Sequence, residues 1–171
     1  MATARAGNVI GGGDFATYRL IPDIVRAAEA NQPLNLRHPD SIRPWQHVLD
    51  VLHGYLLLGR ALHENGGEFA TAFNFAPDGA AVTTGDLAAQ FIAALGKNIP
   101  LTHTGGTAHE AAMLKLDASK ARKILGWRPK LATREAVGLT ADWYRHYRTS
   151  RDTIQAFTTA QLRDYQLKEM A

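Results

Sequence analysis

The 171-residue chain is 46% hydrophobic and 20% charged, the balance of a globular domain long enough to bury a sizeable core. It has no cysteine, which excludes disulfide and thiolate chemistry and is compatible with a reducing compartment; no apolar run approaches the roughly 18 residues of a membrane span. The net charge of +3 is uneven, with six Arg, no Lys and eight acids in residues 1–85 against six Lys, seven Arg and eight acids in residues 86–171; the basic groups are spread at helical spacing through "LDASKARKILGWRPK" and "YRHYRTSR", which reads as solvated helix faces rather than a nucleic-acid surface.

In chain order the pattern is mixed α/β. Met1–Val9 reads as the end of a strand, with no charged-then-apolar leader before Val9. The glycine-rich "RAGNVIGGGDF" follows. Leu20–Ala30 reads as a helix, with Leu20, Ile21, Ile24, Val25 and Ala28 on one face, Pro22 in the first turn and Asp23 at the positive end of the dipole. "PLNL" is a short extended piece. "IRPWQHV" leads into a long helix from about His47 to His63, striped by Val48, Val51, Leu52, Tyr55, Leu56 and Leu62 and stopped by "ENGG". "TAFNFA" alternates as a strand does. Thr83, with Asp86 three residues on, caps a helix through Leu95 that Gly96 stops. "MLKL" is a strand candidate, Asp117 caps "ASKARKIL" before Gly126, and Thr133 caps a helix through Tyr147. The expected division is 1–148 as one α/β unit and 149–171 as a polar tail, with a further helix over Thr159–Lys168.

The glycines at 7, 11, 12 and 13 raise the question of a dinucleotide loop. Neither G-x-G-x-x-G nor a close variant can be built from them, and no acidic residue closes a ribose-binding strand about 20 residues on. Their spacing leaves a turn needing positive φ, or a close approach of backbone to a ligand. Other chemistries fail by inspection. Gly96-Lys97-Asn98 is no P-loop; "HEAAM" lacks the second histidine of a zinc-protease helix; the three serines sit in no G-x-S-x-G elbow; no tyrosine has a lysine four positions later. No metal site is expected.

What composition leaves unexplained is a set of polar residues beside apolar punctuation. Asn8 follows a strand, Arg19 opens "RLIPDI", Arg37 and Arg43 bracket "HPDSI", Asn74 ends a strand, and His109 precedes "LKLD". Each taken alone is equally a turn former or a surface charge.

Taken together, "RAGNVIGGGDFATYRLIPDIVRA", "PLNLRHPDSIRPWQHVLDVLHGYLLL", "FNFAP", "HEAAMLKLDASKARKILGWRPK" and "TADWYRHY" resemble the C-terminal half of the CDP-glucose 4,6-dehydratase branch. That branch lies within the extended short-chain dehydrogenase/reductase family of nucleotide-sugar epimerases and dehydratases. Where the wider family commonly has Asn-x-Tyr-Gly-Pro, this chain has Asn8-Val9-Ile10-Gly11-Gly12. The resemblance implies the last strands of a Rossmann-type parallel sheet plus a small, mostly helical substrate domain, with the glycine run as the turn into that domain. It implies CDP-sugar as ligand, held by Asn8, Arg19, Leu20, Pro22, Leu36, Arg37, Arg43, Asn74 and His109, with Arg43 on phosphate. In the full-length family, NAD takes a hydride from C4, water leaves across C5–C6, and the hydride returns to C6. The NAD loop, the Tyr-x-x-x-Lys pair and the acid/base residues belong to an N-terminal half absent from this sequence. The chain alone is therefore expected to bind no NAD and to carry no catalytic residue. A cytoplasmic homo-oligomer, without nucleic-acid or membrane partners, is expected once that half is supplied. The alternative is a non-catalytic nucleotide-sugar or protein-binding module left by truncation or gene splitting.

Overall fold

The computed structural model describes residues 1–103 and 111–168. Eight short strands and six α-helices alternate through them: β1 (Thr3–Ala6), β2 (Asn8–Ile10), α1 (Leu20–Ala30), β3 (Leu34–Asn35), β4 (Ile42–Arg43), β5 (Trp45–His47), α2 (Val48–Asn65), β6 (Ala72–Phe75), β7 (Val82–Thr83), α3 (Thr84–Ala94), β8 (Leu101–Thr102), α4 (Ser119–Leu125), α5 (Thr133–Thr149) and α6 (Ile154–Leu167). The strands form four pairs. β1–β6, β2–β5 and β3–β8 run parallel, while β4–β7 is antiparallel.

The architecture is the α/β one expected, with local differences that have physical causes. The first strand is interrupted at Gly7, a position that needs glycine because a Cβ there would lie 2.2 Å from the Pro44 carbonyl oxygen. On either side of it, β1 and β2 take different partners, β6 and β5. "IRPWQHV" is not merely a lead-in to a helix but holds β4 and β5; Pro44 separates them by withholding its N–H. "MLKL" is no strand. Leu114 N–H donates to the Ile42 carbonyl and Ile42 N–H to that of Ala112, giving a single bridge at Met113, whose exposed flanks find no second partner among the described residues. α5 is capped one residue earlier than expected: Ala132 is its N-cap, and the Glu135 carboxylate accepts the Ala132 N–H at 3.0 Å. The tail helix begins at Ile154, not Thr159.

Two apolar clusters hold these elements together. The larger packs Ile21, Ile24 and Val25 of α1 against Leu87 and Phe91 of α3 and Val137, Ala141 and Tyr144 of α5. The smaller joins Leu58 of α2, Phe73 and Phe75 of β6, Ala121 of α4 and Trp127. Gln46 spans the two by donating from Nε2 to the Phe75 carbonyl, at 2.7 Å. α6 lies on α5 and is fastened at its far end, where the Tyr165 hydroxyl donates to Oδ1 of the fully buried Asp50, at 2.8 Å. Among the described residues no helix is long and apolar enough to cross a membrane.

Candidate functional site

β2, the glycine turn, the start of α1 and the β3–β5 segment enclose a cleft of about 450 Å³, within the range of small-molecule sites. Its position follows from local sequence. The Asn8–Ile10 strand pairs in register with Trp45–His47, fixing one wall. At its end the chain must pass close to α5: a Cβ on Gly12 would stand 2.0 Å from the Trp143 indole, and Gly13 turns the backbone at φ +83. The glycines thus serve contact with protein side chains and a positive-φ turn. With Pro44, Val48 and Trp143 set against Gly7, Gly11 and Gly12, this run offers no open cradle for a dinucleotide pyrophosphate.

The loop from Asp14 to Tyr18 is clamped from behind. The Tyr144 hydroxyl donates to the Asp14 carbonyl, and Arg26 donates to the carbonyls of Phe15 and Ala16 at 3.2 and 3.1 Å. Burial, with the Asp14 carboxylate nearby, pushes the Tyr144 hydroxyl up to about 12. Phe15 sits among Trp143, Tyr144 and Tyr147, with ring centroids 5.2–6.3 Å away. On the opposite side, Ser41 donates to the His38 carbonyl at 2.8 Å, and Thr84 to the Ser41 carbonyl at 3.1 Å, fixing the turn between β3 and β4.

The cleft is cationic. Its acids among the described residues, Asp14 and Asp23, are paired with Arg19 and Arg26. Arg37 and the half-buried Arg43 add positive charge; Arg43 Nη1 donates to the Ile42 carbonyl at 2.9 Å, which orients the guanidinium. α1 begins at the cleft with no side-chain cap, so the positive end of its dipole opens there. Pro22 lacks a donor to be satisfied. The Asn8 carboxamide hydrogen-bonds to none of the described residues. Forked guanidinium donors beside a helix N-terminus suit an anion with several oxygens, such as a phosphate ester.

Of the residues singled out from sequence, Asn8, Arg19, Leu20, Pro22, Leu36, Arg37 and Arg43 all line this one cleft. Asn74 does not. It lies on β6, paired with β1 rather than with the cleft wall, and its Nδ2 donates to the Asp117 carbonyl at 3.2 Å. His109 lies outside the described residues. Sequence reasoning missed Tyr18, Asn35, Ser41, Trp45 and Thr84. Ser41 and Thr84 carried a weak signal as small hydroxyls beside a strand and at a helix start. Tyr18 carried none.

One relative decides the family. A CDP-glucose 4,6-dehydratase of Salmonella typhimurium is 42% identical over 156 residues, covering 90% of this chain and 44% of the relative. The chain belongs to the extended short-chain dehydrogenase/reductase family. It corresponds to the C-terminal part of these nucleotide-sugar epimerases and dehydratases and spans less than half the length of the relatives it matches. No family model matches it.

Solved structures of the same family share the fold. A UDP-glucose-4-epimerase from Stenotrophomonas maltophila, with bound NAD and formylated UDP-arabinopyranose, superposes with a TM-score of 0.73 at 21% identity, over 88% of this chain and 48% of that one. A dTDP-glucose 4,6-dehydratase from Bacillus anthracis, in complex with NAD, gives 0.68 at 20% identity, over 88% and 45%.

Proposed function

We propose that this chain is the CDP-sugar-binding half of a CDP-glucose 4,6-dehydratase, an enzyme that converts CDP-glucose to CDP-4-keto-6-deoxyglucose. The observation that carries the reading is the cationic cleft, in which Asn8, Arg19, Arg37 and Arg43 meet at the uncapped start of α1. The resemblance to the dehydratase relative over 90% of the chain supports the choice of ligand. In this reading Arg43 pairs with the diphosphate, Asn8 donates to it from the β2 side, and Leu36 and Arg37 lie along the base. Arg19, Leu20 and Pro22 border the nucleotide.

Dehydration needs a hydride acceptor and an acid/base pair. None of this chain's tyrosines has a lysine four residues later, and in the glycine run Gly7 faces Pro44, Gly11 faces Val48 and Gly12 faces Trp143. That chemistry therefore belongs to an NAD-binding N-terminal half, the partner this chain completes, in a cytoplasmic homo-oligomer. The purified chain is expected to bind CDP by calorimetry and, given CDP-glucose and NAD, to yield no 4-keto product. Restoring an N-terminal half of the family is expected to produce it. Absence of CDP binding, or clear turnover by the chain alone with contaminating enzyme excluded, overturns the reading.

A further inference from the structure

Two non-glycine residues among those described have positive φ, Asn31 at 51° and Tyr18 at 63°. Asn31 has an ordinary reason, since it closes the C-terminus of α1, and asparagine tolerates the left-handed region. Tyr18 has none of these reasons. It ends no helix, a bulky side chain is costly in that conformation, and the residue is 83% exposed. It makes no hydrogen bond or ring contact with the described residues. Among the described residues, the strain is therefore not offset by a hydrogen bond or ring contact of this side chain.

The surroundings give the strain a purpose. Tyr18 lines the mouth of the cationic cleft. Of the cleft's other large ring, Trp45, only 7% is exposed, because it belongs to the core. Tyr18 is thus the aromatic face that the cleft presents to a ligand. The loop bearing it is held by Tyr144 on the Asp14 carbonyl and by Arg26 on the two carbonyls that follow. The ring is presented on a fixed backbone, so little ordering remains to be done when a ligand arrives. An exposed aromatic beside guanidinium groups matches a ligand with a flat π-face at one end and phosphates at the other.

We infer that Tyr18 is a stacking platform for the nucleobase of the ligand held in this cleft. The inference rests on the nucleotide-sugar reading above. It adds a base contact that closes the outer side of the site, while the apolar Leu36 and Pro22 form part of the cleft wall.

The test is calorimetric titration of CDP and, separately, inorganic pyrophosphate into the wild-type chain and three variants. Tyr18→Ala is expected to weaken CDP binding roughly 5- to 150-fold, the range for losing one base–aromatic stack, and to leave pyrophosphate binding unchanged. Tyr18→Phe keeps the ring and is expected to bind CDP within about twofold of wild type, since stacking needs only the π-face. Tyr18→Asn relieves the backbone but removes the ring, and should behave as Tyr18→Ala does. Equal CDP affinity in wild type and Tyr18→Ala overturns the inference and leaves the nucleotide reading standing. Loss of pyrophosphate binding in parallel with CDP also overturns it, because the residue would then act on loop shape or phosphate. Failure of the wild-type chain to bind CDP removes the nucleotide reading, and the inference with it.

Discussion

His47 makes the stability of this chain depend on mild acid. The imidazole is 3% exposed, on β5 beside the cleft wall, and is the N-cap of α2: its Nδ1 accepts the Leu49 N–H at 3.3 Å. The acceptor role requires the neutral ring with its proton on Nε2. Burial lowers its pKa from 6.5 to about 4. Protonation would turn Nδ1 into a donor facing an amide and set a cation on the positive end of a helix. Because the folded value lies below the unfolded one, the stabilisation is complete above pH 6.5 and is lost as pH falls towards 4. The linkage amounts to about 2 kcal/mol between pH 7.5 and 5, and about 3 kcal/mol once pH is below the folded value. The perturbation is His47→Asn, which keeps a good N-cap and removes the titration. The assay is urea unfolding at pH 7.5, 6 and 5. Wild type should lose about 2 kcal/mol more than the variant across that range. His53 is shifted down and Asp50 up by burial in both proteins, so their effects cancel in the comparison. Equal losses in the two proteins would refute the reasoning.

Other outcomes are expected from the same geometry. Arg43→Ala, in a chain restored with an N-terminal half, should lose about 1.5–3 kcal/mol of CDP binding by calorimetry, the range for a hydrogen bond to a charged group; unchanged affinity in a folded variant would move the phosphate to Arg19 or Arg37. Tyr165→Phe removes one of the hydrogen bonds to the buried Asp50 carboxylate and should lower unfolding stability by about 1.5–3 kcal/mol, while an unchanged melt would mean that α6 is not fastened there. Gly12→Ala drives a methyl into the Trp143 indole and should destabilise by about 1–3 kcal/mol in denaturant titration. Leu52, Tyr55 and Leu56 form an exposed stripe on α2, so the isolated chain should self-associate in sedimentation; Leu56→Glu should reduce that, and a monomeric wild type would count against it.

The elements legible in the sequence were those with a strong period or a cap. α1 was read at its full bounds because Ile21, Ile24, Val25 and Ala28 repeat at helical spacing and Arg19 and Asn31 do not extend the pattern. Thr83 was read as a cap because Asp86 completes the box, and in the structure its Oγ1 accepts the Asp86 N–H at 3.0 Å. β5 was not legible. Trp45, Gln46 and His47 are all buried, so they show no alternation, and three residues are too few to separate from the helix that follows. In the cleft, the arginines were picked out by their place beside apolar punctuation, and the family pattern grouped them. Tyr18 left no trace because its significance lies in a backbone angle, which no residue identity records.

The strand pairs carry a consequence for how the chain is made. Thr3 pairs with Ala72, Asn8 with Trp45, Leu34 with Leu101 and Ile42 with Thr83; among the described residues no strand is joined to its successor by a hairpin. On a translating ribosome, β1 therefore waits until some seventy residues have followed it before its partner β6 appears. Contacts this distant along the chain make for slow assembly, during which early strand edges stand open to neighbouring molecules. Expression yield should accordingly respond to temperature and to chaperone supply.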